Sequence, residues 1–375
     1  MLRGVCLLEM MANHLPSNIL TARAVETAGF ISAAEGFVFL SGFVAGWTSA
    51  QALRVNKPRS TISKRFLKRA LQLYVIYLAL FTIILFTAST GGSRFSEWRL
   101  FCDLRGGSAE FRWLLGATFL HLPKYLDIFS MYCIFLLCVP MMLRALKADR
   151  QWLLLAISAG IWGASQVWRL PGIVTGGFGF FNVLSWQLMF TAGVVLGFRH
   201  DRQAQPQSRG LLFLSAITCL ALLILRYPGL AQPYGIHLPY LDPYGFTTDL
   251  LAPSKLVEKS TLGPLRLINF AAMAYTLWSL VWWLGPAAEA TWAFQKLAFL
   301  GRHSLQVFSW SIGVTFLVYL SGESWLGIPA GLQIGLFGAL TAALWIPALL
   351  HRRWQEYRPG RGHAIQRRAP AIESV

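Results

Sequence analysis

The first residues, MLRGVCLLEMMANHLPS, set Arg3, Glu9 and His14 into a run that is otherwise apolar. An ionisable side chain inside a membrane helix costs roughly 2.5–3.5 kcal/mol or more, so it usually faces a cavity or a partner. Eleven residues separate Arg3 from His14. At 100° per residue this is about 1100°, within ~20° of three whole helical turns, so both lie on one stripe, about 16.5 Å apart along the axis. Glu9 lies ~140° around the helix from His14 and belongs to another face. An imidazole held there suits a general base or an acyl-accepting nucleophile. A guanidinium on the same stripe suits phosphate or carboxylate. The plainer alternative for His14 is an interhelical hydrogen bond.

Further polar residues fall in apolar runs. Glu35 sits in ISAAEGFVFLSGF, where the chain turns back, so it is expected near the depth of His14, orienting the ring and raising its basicity. Ser41 and Gly42 lie about six residues, or ~9 Å, deeper. Ala33, Gly36, Ser41, Gly42 and Gly46 form a small-residue face that permits close helix approach, and packing and substrate contact both remain open for Ser41. Asn13, Ser41, Asn182, Gln187 and Asn269 are candidate donors to a developing oxyanion.

These residues must be placed by membrane helices. The chain has 375 residues, 55% of them hydrophobic and 13% charged, against about 25% charged in soluble domains. Apolar runs recur along the whole length, giving a fold class of all-α, a polytopic transmembrane bundle of about ten spans. The spans are expected near 2–15, 30–50, 70–88, 128–146, 151–168, 181–198, 210–226, 266–285, 297–320 and 331–350. The first is short, lacks a leader's cleavage site, and is read as a span rather than a signal peptide. One domain, 1–350, is followed by a basic tail, 351–375, expected to be disordered and to touch anionic membrane lipid.

A net charge of +17 could indicate nucleic acid, but the cations lie between apolar runs, as membrane topology requires, so no nucleic-acid partner is expected. The 51–69 segment carries seven basic residues and no acid, and six arginines follow His351. Both termini are therefore expected in the cytoplasm, with loops 89–127 and 227–265 outside. Those loops are rich in aromatics, Pro and Gly, suited to sugar stacking or to an interfacial belt. Five scattered cysteines form neither a disulfide framework nor a metal site, and no metal is expected.

An Arg, ten residues and a His in the first span resembles the membrane acyltransferase-3 superfamily. Within it the chain is most similar to OpgC-type proteins, associated with succinyl transfer to osmoregulated periplasmic glucans. The similar stretches are RGVCLLEMMANHLPSN, AAEGFVFLSGFVAG, KRALQLYVIYLALF, LDIFSMYCIFLL, FNVLSWQLMFTAGVVLG, STLGPLRLINFAAMAY and LGRHSLQVF, in the family's order. The resemblance implies a bacterial inner-membrane enzyme, His14 as the active-site histidine and Arg3 as its paired arginine. It also implies an Arg-x-x-Arg element for acyl-CoA, which here reads Arg69-Ala-Leu-Gln72, so Gln replaces the second Arg. Asn13 stands where Asp is often found, leaving Glu35 as the expected partner of His14.

The cytoplasmic donor would be succinyl-CoA or acetyl-CoA, its phosphates held by Arg65, Lys68, Arg69 and Arg302 while the pantetheine arm climbs from Arg3 towards His14. The acceptor would be a hydroxyl of a periplasmic glucan or another extracytoplasmic glycan. A dianionic succinyl group calls for a further cation. Arg266 is the candidate, with a snorkelling anchor as its alternative. The cavity is expected from spans one, two and three, helped by six, eight and nine. Two other functions explain many spans and intramembrane charges: a glycan transporter or flippase without acyl-transfer chemistry, and a non-catalytic scaffold.

Overall fold

A computed structural model describes residues 1–15, 29–89, 108–120, 122–123, 125–167, 181–200, 208–244, 252–321 and 327–357. The expected tail beyond 357, and Cys102, lie outside the described residues. No strand occurs among the described residues. The helices are α1 Leu2–His14, α2 Ala33–Arg54, α3 Arg59–Ser89, α4 Ala109–Ala117, α5 Asp127–Lys147, α6 Gln151–Val167 and α7 Val183–Arg199. They continue as α8 Arg209–Arg226, α9 Pro264–Ala290, α10 Trp292–Arg302, α11 Ser304–Ser321, α12 Ala330–Ala343 and α13 Trp345–Glu356.

Among the described residues, six helical stretches are long and apolar enough to cross a bilayer: Ala33–Arg54, Arg59–Thr87, Asp127–Lys147, Arg209–Arg226, Pro264–Gly285 and Ala330–Glu356. Helices α7 and α11 are apolar but shorter. The side chains fit a lipid surroundings. Leu67, Leu71 and Val75 recur at helical spacing on α3, are all more than half exposed, and would strand apolar surface in water.

Three features depart from the sequence expectation, the first being that the run expected over 331–350 divides at Leu344 into α12 and α13. The run expected over 297–320 is broken at His303, so α10 and α11 are separate helices. The last helix continues to Glu356, so the boundary expected at 350 falls inside α13. Its turns pack against α10 and α11, which holds residues 351–356 in the bundle.

The centre is the α2–α7 pair, in close contact along its length. Glycine makes this possible. A Cβ on Gly42 would stand 2.2 Å from the Phe190 carbonyl oxygen, and one on Gly46 2.1 Å from that of Val194. Gly193 and Gly197 meet the Phe39 and Phe43 carbonyls in the same way. Backbones touch because both partners lack side chains there. Helix α1 seats against α10 by the same device, since a Cβ on Gly4 would lie 2.1 Å from the Leu297 oxygen.

The long loops re-enter the bundle. Helix α4 starts on a Ser108 cap, which accepts from the Phe111 amide. It lies along α3, where Tyr74 and Tyr77 hydroxyls donate to the Ala117 and Gly116 carbonyls and the Trp113 indole donates to Thr82. The segment before α9 forms three short 3-10 turns, Pro228–Leu230, Gln232–Tyr234 and Pro253–Val257. Its final residues are bound to α6 and α7: Trp162 donates to the Leu262 carbonyl, Gln166 to that of Thr261, and Trp186 to that of Ser260.

Candidate active site

A cavity of about 600 Å³ opens between α1, α2, α3, α5, α7, α10, α11 and α13. It gathers every residue expected to hold acyl-CoA: Arg3, Arg65, Lys68, Arg69, Gln72 and Arg302. The sequence places these on three helices. Arg65, Lys68, Arg69 and Gln72 recur at three- and four-residue spacing on α3, so one helical face presents them together. Arg302 comes from the end of α10, and Arg3 from the first turn of α1. Spans one, two, three, six and nine contribute as expected. Span eight does not line the cavity; α5 takes that place with Phe129, Tyr132 and Leu136.

Among the described residues, no carboxylate lines this cavity. Among the described residues, Arg3, Arg65, Lys68, Arg69 and Arg302 form no ion pair. Two unit charges ~4 Å apart interact by about 4 kcal/mol at an effective dielectric near 20. A group of cations without acids therefore carries a self-repulsion that a polyanion relieves. Arg65, Lys68 and Arg302 are exposed at the rim, whereas Arg69 and Arg3 are half-buried. Arg3 reaches inward, its Nη2 donating to Ser304 Oγ at 2.5 Å, with its guanidinium 5.5 Å from the Phe37 ring centre.

Ser41 and Gly42 take different tasks. Gly42 packs on α7, and Ser41, one residue earlier, faces the cavity and accepts a long 3.4 Å bond from the Tyr132 hydroxyl. Part of the cavity wall is aromatic. Phe37, Phe129 and Phe308 are buried, and Phe308 stacks on Phe37 at 5.8 Å and leans on Phe129 at 5.2 Å between ring centres.

Asn13 and His14 are half-buried at the far end of α1 and do not line the cavity. The His14 ring lies against Tyr125, with centres 4.2 Å apart. Tyr125 precedes the first turn of α5, and Phe129, which lines the cavity, belongs to that turn.

The expected Glu35–His14 pair is corrected. Glu9 Oε1 accepts from the Ala33 amide, which sets the start of α2 level with Glu9. His14 is five residues, or about 7.5 Å, further along α1. Glu35 is fully buried and pairs with Arg266, whose Nε and Nη2 both donate to Oε1, at 2.9 and 2.5 Å. Its Oε2 accepts from the Ser32 amide and hydroxyl, at 3.0 and 2.7 Å. A carboxylate has about four lone-pair sites, and four donors fill them. Arg266 is likewise neither a snorkelling anchor nor a free cation, because it is fully buried against Glu35.

The remaining expected donors lie outside the cavity and serve the backbone or a neighbouring helix. Asn182 caps α7 by accepting from the Leu184 amide. Gln187 accepts from the Ser158 hydroxyl and donates to the Ser158 carbonyl, tying α7 to α6. Asn269 accepts from the Phe30 amide at 2.7 Å and holds the entry to α2.

Sequence reasoning did not find His351, Trp354 and Gln355, which line the cavity from α13. Their i, i+3, i+4 spacing was a usable signal, hidden because they were read as tail. His351 also meets His303 at 2.9 Å between Nδ1 atoms.

Fold and cavity together define a helical membrane protein with a cation-lined chamber. A family model described as OpgC protein matches residues 1–356, so the chain belongs to that family, which is one of bacterial membrane transferases. No curated protein and no solved structure matches the chain.

Proposed function

We propose that this protein is an O-acyltransferase of the acyltransferase-3 type. It moves a succinyl or acetyl group from cytoplasmic acyl-CoA to a hydroxyl of a periplasmic glucan or another extracytoplasmic glycan. In this reading it spans the bacterial inner membrane about ten times with both termini in the cytoplasm. One observation carries the proposal: six residues chosen from sequence to hold acyl-CoA converge on one cavity without a carboxylate among the described residues.

The CoA phosphates sit at the Arg65–Lys68–Arg302 rim, where planar and point cations match phosphate oxygens. The pantetheine arm climbs from Arg3 towards His14, and its length is similar to the ~16.5 Å rise between them. The Phe37–Phe129–Phe308 cluster parts by side-chain rotation to let the thioester reach His14. His14 takes the acceptor hydroxyl proton, and the oxygen attacks the thioester carbonyl. The C–S bond then breaks, and the departing CoA thiolate recovers the proton from the imidazolium. Asn13, adjacent to His14, is the retained candidate for bonding the oxyanion.

The test is His14→Ala in membranes supplied with labelled acyl-CoA and glycan. The expected result is loss of both glycan labelling and glycan-dependent CoA release, with folded protein and acyl-CoA binding retained. Normal turnover by this variant rejects the proposal. Glycan translocation without CoA release by the unaltered protein establishes the transporter instead.

A further inference from the structure

Both oxygens of Glu35 are committed to Arg266 and Ser32, so Glu35 does not orient His14. Tyr125 lies directly against it, ring centres 4.2 Å apart and planes inclined by 39°. The backbone at Tyr125 has φ +70°, in the left-handed region. Glycine takes that conformation freely, whereas a bulky aromatic there is a true outlier that persists only when its surroundings hold it. The surroundings do so. The Leu126 amide donates to the Pro123 carbonyl at 3.1 Å, closing the turn. The buried Asp127 accepts from the Ile128 amide and from the Phe181 amide just before α7, pinning the turn to α5 and α7. A strained residue whose side chain faces the one candidate base is a site where the ring, rather than the backbone, explains the residue type.

The geometry points to Tyr125 as a positioning residue for His14, its ring fixing the imidazole on the stripe above Arg3 and stabilising the imidazolium formed when His14 takes the hydroxyl proton. A cation within about 6 Å of an aromatic centre is attracted by the ring's electron-rich face. The neutral imidazole has no such charge, so the attraction strengthens as the proton moves and lowers the barrier instead of merely tightening binding. The phenol oxygen is not needed for this, but the ring is. The inference rests on His14 being the base.

Three variants of the full chain in membranes test it: Tyr125→Gly, Tyr125→Phe and His14→Ala. Tyr125→Gly relieves the backbone but removes a ring packed against the core, so folded yield is measured beside kcat. Its kcat should fall about three- to thirtyfold, the range that a cation–aromatic contact supports, with KM for acyl-CoA little changed. Tyr125→Phe keeps the ring face and should recover most of the rate lost in Tyr125→Gly. Unchanged kcat in Tyr125→Gly, or equal impairment of the Phe and Gly variants, overturns the role of the ring. An active His14→Ala overturns the reading of His14 itself. A dead His14→Ala beside a fully active Tyr125→Gly overturns the inference about Tyr125 alone.

Discussion

Replacing Glu35 with Gln tests whether its charge serves the fold or the chemistry. The carboxylate receives four donors, two from Arg266 and two from Ser32, and both members of the ion pair are fully buried. A Gln side chain keeps the shape but has one acceptor and one donor end. Whichever way it turns, its amide hydrogens face either the Arg266 guanidinium or the Ser32 amide and hydroxyl, and Arg266 remains charged and buried. Removing one member of such a pair costs about 3–5 kcal/mol. At roughly 2 °C per kcal/mol for a large domain, Tm should fall by about 6–10 °C. The double variant Glu35→Leu/Arg266→Met removes both charges. It should recover only part of that loss, because the three vacated bonds, two at Ser32 and one at Val257, cost about 1 kcal/mol each. Thermal unfolding of purified protein in mild detergent, followed by tryptophan fluorescence, measures all three species. A Glu35→Gln variant with native Tm and abolished acyl transfer would refute the structural assignment and return Glu35 to the active site. A double variant less stable than either single one would refute the pairing.

The rim cations and the glycine interface give further outcomes. Arg65→Ala, Lys68→Ala and Arg302→Ala should each raise KM for acyl-CoA about three- to tenfold, more than they lower kcat. The effect should shrink at high salt because these side chains are exposed and screened within ~8 Å at physiological ionic strength. Transfer kinetics at two salt concentrations check this, and a salt-independent loss argues against phosphate recognition. Gly42→Leu or Gly46→Leu drives a side chain into an α7 carbonyl, at 2.2 and 2.1 Å for the Cβ alone. Helices α2 and α7 must separate, and the overpacking should cost at least about 1–3 kcal/mol, seen as lost folded yield after detergent extraction.

The sequence determined the helical class, most helix positions and the identity of the cation set. Apolar period, charge spacing and glycine steps are local quantities, written within a few turns of chain. The Arg3–His14 stripe and the α3 row from Arg65 to Gln72 follow from the pitch of one helix. The partners of Glu35, Arg266 and Asn269 do not. Glu35 lies 231 residues from Arg266, and only packing decides which buried guanidinium reaches it. Depth within the bundle decided it against His14. The Glu9–Ala33 bond fixes how α1 and α2 are offset, and sequence spacing within either helix carries no information about that offset. The same holds for Tyr125 beside His14 and for the return of α13 onto the cavity. Such contacts arise where the chain closes long loops, and their cost and geometry belong to the assembled bundle rather than to any segment of it.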